Sequence, residues 1–326
     1  MRAVALSLIL LLVAGSPALS DGVAIDKNLN KYKATSSVSG NVKSIGSDTM
    51  NNLMTLWAEK FKAAYPSVSI EIEGKGSSTA PPAMINGTST FGPMSRQMKP
   101  KEMASFVDKF GYKATQLRTS IDMLAVYVHK DNPIKGLTMQ QVDAIFSKAR
   151  KGGYSKDITT WGDLGLTGAW ADRKITLYGR NSASGTYGYF KKKALFKGDF
   201  KDTVKEQPGS SAVVTSVSND ISGIGYSGIG YKTADVRAVP LGKRAGQFTP
   251  AEADHAYSGK YPLARFLWLT VNYKPGSQLE PLRREFIQLI FSKQGQKVVA
   301  KDGYFPVPNA IARAELQKVG IGSVGQ

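Results

Sequence analysis

Apolar residues in this chain recur at two spacings. Residues 68–72, Val-Ser-Ile-Glu-Ile, alternate as a half-buried strand does. Met50, Leu53, Leu56, Trp57, Phe61 and Ala64 fall at helical spacing, with Thr49 where an N-cap would stand and a strand predicted over 42–45 just before it. The order strand, polar turn, helix then repeats. After Ile72 comes Gly74-Lys-Gly-Ser-Ser-Thr79, and Pro81-Pro82 opens a helix toward Asn86-Gly87. Residues 175–178 form a third strand, and Gly179-Arg-Asn-Ser-Ala-Ser-Gly-Thr186 leads into a helix over 186–195. Elsewhere the pattern predicts a short strand in 90–96, an amphipathic helix over 99–110 closed by Gly111 and a long apolar strand over 117–129. It also predicts a capped helix over 138–146, a helix over 212–218, a strand over 266–272 and closing helices over 282–290 and 295–300. Residues 25–40 lack a period and read as an extended arm. Alternating strands and helices predict an α/β chain with mainly parallel sheets.

The three turns share a chemistry. A helix N-terminus presents unpaired N–H groups and the positive end of the dipole, which suits an anion. Arg180 adds a planar, permanently charged fork to the third turn. Several such turns at strand C-termini can converge on one crevice. Two look-alike motifs fail. The Gly74-Lys75 pair lacks the rest of a Walker loop, and Gly223-Ile-Gly-Tyr-Ser-Gly228 follows a helix rather than a strand, so it predicts tight turns and not a dinucleotide site. Asp122 lies inside the apolar 117–129 run, where a carboxylate needs a partner or a purpose; an arginine partner or an exposed strand end would satisfy it.

Composition bounds the function. The 326 residues suffice for two domains. Arg2, an apolar run over 3–13 and the small residues after it form a secretory signal peptide, 1–24, with cleavage after Ser20 or Ala24. The chain has no cysteine, which excludes disulfides, a thiol nucleophile and a lipidated N-terminal Cys. The net charge of +18 is scattered in short clusters, and export speaks against a nucleic-acid partner, so the charge reads as a solvated surface.

With these turns in hand, the chain resembles the phosphate-binding proteins of bacterial Pst ABC transporters, from about Ile25 onward. The resemblance rests on Gly46-Ser-Asp-Thr-Met50, Gly76-Ser-Ser-Thr-Ala-Pro-Pro82, Phe91-Gly-Pro-Met-Ser-Arg96, His129-Lys-Asp-Asn-Pro133, Gly179 to Thr186 and Ile224-Gly-Tyr-Ser227. The cysteine-free signal is similar to the Gram-negative, non-lipidated form. The resemblance implies a type II periplasmic-binding-protein fold: two α/β domains, 25–120 plus 262–326 and 121–261, joined by two hinge crossings near 117–122 and 261–266, with the ligand in the cleft. It implies phosphate ligands at Thr49, the Met50 N–H, Ser77, Arg180, Ser184, Gly185 and Thr186. Two positions depart from the best-known branch of the family. A Ser-Asp pair follows Phe-Gly there, and its Asp accepts the phosphate proton; Ser95 and Arg96 stand here and join the candidate set. Ser182 replaces an Asp that holds the arginine. Asp122 is then the nearest carboxylate able to read the proton, with Asp48 second.

The function implied is capture of inorganic phosphate in the periplasm and delivery to an inner-membrane ABC permease, by a monomer without metal or cofactor. Another oxyanion such as sulfate is the alternative within the class. A secreted phosphatase is disfavoured, because His129 and His255 are the only histidines and no metal cluster or G-x-S-x-G elbow is visible. A further alternative, of a different class, is an adhesive or signalling role at the cell surface.

Overall fold

The computed structural model describes residues 23–35 and 38–322; the signal segment up to residue 22, with the Ser20 cleavage point, lies outside them. The chain begins with β1 (Gly40–Ile45), α1 (Asn51–Ala64) and β2 (Val68–Glu73), and the two strands pair in parallel. The helix buries Leu53, Trp57 and Phe61. Next come α2 (Ala80–Ile85), β3 (Gly92–Met94) and α3 (Pro100–Phe110). The predicted stop of α3 is present: Gly111 is left-handed, with φ of 79°.

The 15-residue strand β4 (Thr115–His129) is the spine shared by both parts of the molecule. After it run β5 (Leu137–Thr138), α4 (Met139–Phe146), β6 (Thr176–Arg180), α5 (Gly185–Lys193), β7 (Lys205–Gln207) and α6 (Ser210–Ser218). Then come β8 (Gly223–Gly228), β9 (Val236–Ala238), β10 (Leu241–Arg244), β11 (Gln247–Thr249) and α7 (Ala253–Tyr257). The chain closes with β12 (Ala264–Val271), α8 (Pro281–Ile290), α9 (Lys293–Lys301), β13 (Phe305–Pro306) and α10 (Asn309–Gln317). The first part of β4 pairs with β12, from Thr115 opposite Val271 to Met123 opposite Ala264. Its second part pairs with β8, from Leu124 opposite Gly228 to Val128 opposite Ile224. The strand therefore changes partners between Met123 and Leu124. There the Leu124 N–H donates to the Leu263 carbonyl at 3.1 Å, so outgoing and returning chains cross side by side.

Two expectations need correction. The sheets are mixed rather than mainly parallel: β12, β13, β8 and β9 all run antiparallel to β4. The chain leaves along β4 and returns along β12, so these two neighbours must oppose each other; parallel pairing remains in β1–β2, β5–β10, β6–β7 and β6–β8. The glycine run 223–228 is a fully buried strand, not a set of turns. A Cβ on Gly225 would stand 2.8 Å from Val213 and 2.9 Å from Val217, so the glycine lets α6 lie directly on the sheet.

One large apolar core spans both parts of β4, and a smaller cluster gathers around Phe106, Met94 and Met84. The arm over 25–35 is tied down as well as extended. Tyr32 and Tyr65 both donate to Glu285 Oε2, at 2.7 and 2.9 Å, and Thr35 donates to Oε1 at 2.9 Å. Among the described residues no helix is long and apolar enough to cross a membrane.

Candidate anion-binding site

Four segments bring small polar residues to one place. Past β1, a single 3-10 turn (Asp48–Met50) buries Thr49 ahead of α1. Thr49 is not the N-cap that its spacing predicts: its hydroxyl is turned away from the helix and lies 2.8 Å from Thr186 Oγ1. The Met50 N–H donates to the Ser47 carbonyl at 3.1 Å and so closes its own turn. Past β2, the 3-10 turn Ser77–Thr79 buries Ser77. Its Oγ accepts the Ser95 N–H at 2.9 Å and lies 3.2 Å from Ser95 Oγ, which brings the end of β3 against the second turn.

The fourth segment comes from the other part of the chain. Ser184 caps α5, its Oγ accepting the Thr186 and Tyr187 N–H groups at 3.1 and 3.3 Å. Gly185 is pressed against the first part: a Cβ there would lie 2.3 Å from Ser77 Oγ and 2.5 Å from Ser95 Oγ. Only glycine allows that approach. The Ser78 N–H donates to the Ala183 carbonyl at 3.1 Å, so the second and third turns touch through backbone as well.

Two arginines flank these hydroxyls. Arg180, at the end of β6, is buried, and its Nη1 donates to Ser210 Oγ at 2.7 Å and to Asp48 Oδ2 at 2.9 Å. Asp48 thus takes the place that Ser182 leaves empty of charge. Arg265, at the start of β12, is a member of the site that the turn motifs do not reveal. Its Nε and Nη2 donate to Asp122 Oδ2 at 2.8 and 2.7 Å, its Nη1 to the Ser95 carbonyl at 3.0 Å and its Nη2 to Thr186 Oγ1 at 2.9 Å. Asp122 Oδ1 accepts the Ile229 N–H at 2.9 Å. Of the two ways to satisfy Asp122 the structure shows the arginine partner, with the carboxylate fully buried. A charge inside an apolar run marks Arg265 in the sequence as it marks Asp122; matching the two would have paired them.

Arg96 faces elsewhere. Its Nη1 and Nη2 donate to Glu102 at 2.8 and 2.7 Å, and Nη2 also reaches Ser78 Oγ at 3.1 Å. The structure thus gathers Thr49, Ser77, Ser95, Gly185 and Thr186, puts Arg180 and Asp122 beside them with their partners, and leaves Met50 and Ser184 closing their own turns. The set is rich in donors. The two histidines contact Asp131 and the Pro250 carbonyl, away from it.

Mixed α/β sheets joined by β4 and the returning chain form a type II periplasmic-binding-protein fold, and with a buried cluster of hydroxyl donors where its two parts meet this defines a solute-binding protein. The model of the PBP superfamily domain matches residues 32–294. The chain is 55% identical to the phosphate-binding protein PstS of Pseudomonas aeruginosa over 309 residues, covering 94% of this chain and 96% of that one. It is 28% identical to PstS of Staphylococcus haemolyticus over 283 residues, 85% of this chain and 84% of that one. Among solved structures, a putative phosphate ABC transporter substrate-binding protein of Clostridium perfringens with bound phosphate matches with a TM-score of 0.70 at 28% identity, over 82% of this chain and 100% of that one. An ABC-type phosphate transport receptor of Vibrio cholerae shares the fold, with a TM-score of 0.62 at 22% identity over 82% of this chain and 100% of that one. The chain belongs to the family of Pst phosphate-binding proteins.

Proposed function

We propose that this protein captures inorganic phosphate in the periplasm and hands it to an inner-membrane ABC permease. The observation that carries this is the meeting of the Thr49, Ser77, Ser95 and Thr186 hydroxyls, with Arg265 donating to Thr186 Oγ1 and Arg180 paired with Asp48, the residue before Thr49. Dehydrating a small dianion costs on the order of tens of kcal/mol or more, which only a dense set of charge-assisted donors can offset. Thr49, Ser77, Ser95, Thr186, Arg180 and the N-terminus of α5 at Ser184 and Gly185 are the ligands proposed. Met50 and Arg96 support their turns from behind. The role is binding and transfer, with no catalysis, by a monomer that uses neither metal nor nucleic acid.

Residues 25–120 with 262–326 are proposed as one lobe and 121–261 as the other. The change of partners on β4 between Met123 and Leu124 supports that division. The hydroxyls of the two lobes stand within hydrogen-bonding distance of each other, as in Thr49 and Thr186, so an anion enters only when the lobes part. Asp122 is the carboxylate proposed to read the phosphate proton. Arg265 and the Ile229 N–H fix it in place, and its oxygens retain acceptor capacity. Sulfate offers no proton to it.

The test is titration calorimetry after unfolding and refolding to strip bound anion. One phosphate per chain at micromolar affinity or tighter, about 8 kcal/mol, is expected, with sulfate failing to compete. Equal binding of sulfate would overturn the assignment to phosphate.

A further inference from the structure

We infer that Asp48 is a clasp between the lobes: it holds Arg180 only when the cleft is shut, and so sets how slowly phosphate leaves. The inference rests on the proposed function and lobe division. Asp48 lies at the start of the turn before α1, in the first lobe. Its Oδ2 accepts Arg180 Nη1 at 2.9 Å and the Ser210 N–H at 2.8 Å, the first residue of α6. Its carbonyl accepts the Tyr231 hydroxyl at 2.8 Å. Gly209 makes room for it, since a Cβ there would stand 2.9 Å from Asp48 Oδ1. Arg180, Ser210, Tyr231 and Gly209 all fall within 121–261. One residue of the first lobe therefore gathers three bonds from three separate segments of the second.

Contrast the other pair. Asp122 and Arg265 sit on neighbouring strands at the crossing, registered opposite each other on β4 and β12. Parting the lobes leaves that pair intact and breaks every one of the Asp48 bonds. Arg180 then keeps Ser210 Oγ and the Pro208 carbonyl, both on its own lobe, but loses the carboxylate. Its full charge faces an incoming anion in the open form. On closure the carboxylate arrives behind the guanidinium, and the closed state gains a charge-assisted bond to the arginine and another at a helix N-terminus. A contact made only in one of two states shifts the population toward that state. Asp48 is a positioning residue in this scheme.

The signature is kinetic. Losing a contact made only in the closed state speeds release and leaves capture alone. Equilibrium dialysis gives the affinity, and release of radiolabelled phosphate into excess unlabelled phosphate gives the off-rate. For Asp48→Ala, release should speed up on the order of 30-fold, with the on-rate, from their ratio, within about twofold of the parent. Tyr231→Phe, which deletes one hydroxyl, should speed release about threefold to tenfold with the on-rate unchanged. Without phosphate both variants should unfold at close to the parent temperature, because the open form lacks these bonds. A loss of affinity carried by slower capture, an unchanged off-rate, or an equal loss of thermal stability with and without phosphate would overturn the clasp. A parent protein that binds no phosphate would overturn the proposed function instead, before any variant is compared.

Discussion

The face of the cleft built by residues 46–96 offers Thr49, Ser77 and Ser95, three buried hydroxyls whose protons can turn to either partner. The face built by residues 180–186 offers one such hydroxyl, on Thr186, together with the Arg180 guanidinium and the N-terminus of α5 capped by Ser184. Hydroxyls are both donors and acceptors, so they can follow the proton on a phosphate oxygen; a guanidinium is a donor only. The charged face is thus suited to attract and the hydroxyl face to fit. Arg265, rooted at the crossing, reaches both faces, through the Ser95 carbonyl and Thr186 Oγ1.

The difference between the faces should show first on the charged one. Arg180→Ala removes the guanidinium while the anion still has to be desolvated, and it leaves Asp48 without its cation. Phosphate affinity should fall by about 4 kcal/mol, near a thousandfold, by calorimetry. A loss under tenfold would move the weight of binding to the hydroxyls. The next effect falls on the crossing. Asp122→Asn breaks a buried ion pair and should cost about 3 kcal/mol of stability in urea unfolding. Phosphate should bind less tightly and sulfate measurably better, because the new amide donates where the carboxylate only accepted. Retained rejection of sulfate would remove Asp122 from selectivity.

The hydroxyl face has a pH signature at its back. Burial pushes the Asp302 carboxyl up to about 6, against the pull of the Asn52 side-chain amide that donates to it from α1. The folded protein therefore holds this proton more tightly than the unfolded chain does. The contribution of Asp302 to stability should fall as pH rises from about 4 to about 6, by about 2–3 kcal/mol, read as the difference between the parent and Asp302→Asn. A thermal unfolding series across this range checks it, and identical slopes in parent and variant would refute the sign. Ser77→Ala deletes one hydroxyl from the same face and should weaken phosphate by about 2 kcal/mol, some thirtyfold. Arg96→Ala, whose guanidinium serves Glu102, should change affinity less than about twofold; a larger change would return Arg96 to the site.

How far each feature is legible in the sequence depends on range. The turns at 46–50, 76–82 and 179–186 are local patterns of strand, glycine and hydroxyl, and they place Thr49, Ser77, Arg180 and the α5 cap directly. The charge partners are not legible in the same way. Arg265 meets Asp122 across 143 positions and Asp48 meets the Ser210 N–H across 162, so the sheet and the long-range packing of the chain set those pairs. The Asp122 carboxylate inside an apolar run is a usable signal, and the arginine it requires stands in an equally apolar run. Direction of pairing escapes as well. A hydrophobic run such as 117–129 reads the same whether its neighbours are parallel or antiparallel, and only the return of the chain along β12 decides. The Gly223–Gly228 strand is hidden because glycine signals a turn by itself, whereas here it makes room for α6.

Whether two unlike faces close on one phosphate is decided most directly by solution scattering of stripped protein, without and then with saturating phosphate. The radius of gyration should fall on adding phosphate and stay high with sulfate. Phosphate bound at one per chain with no change in that radius would contradict closure of the two faces on the anion.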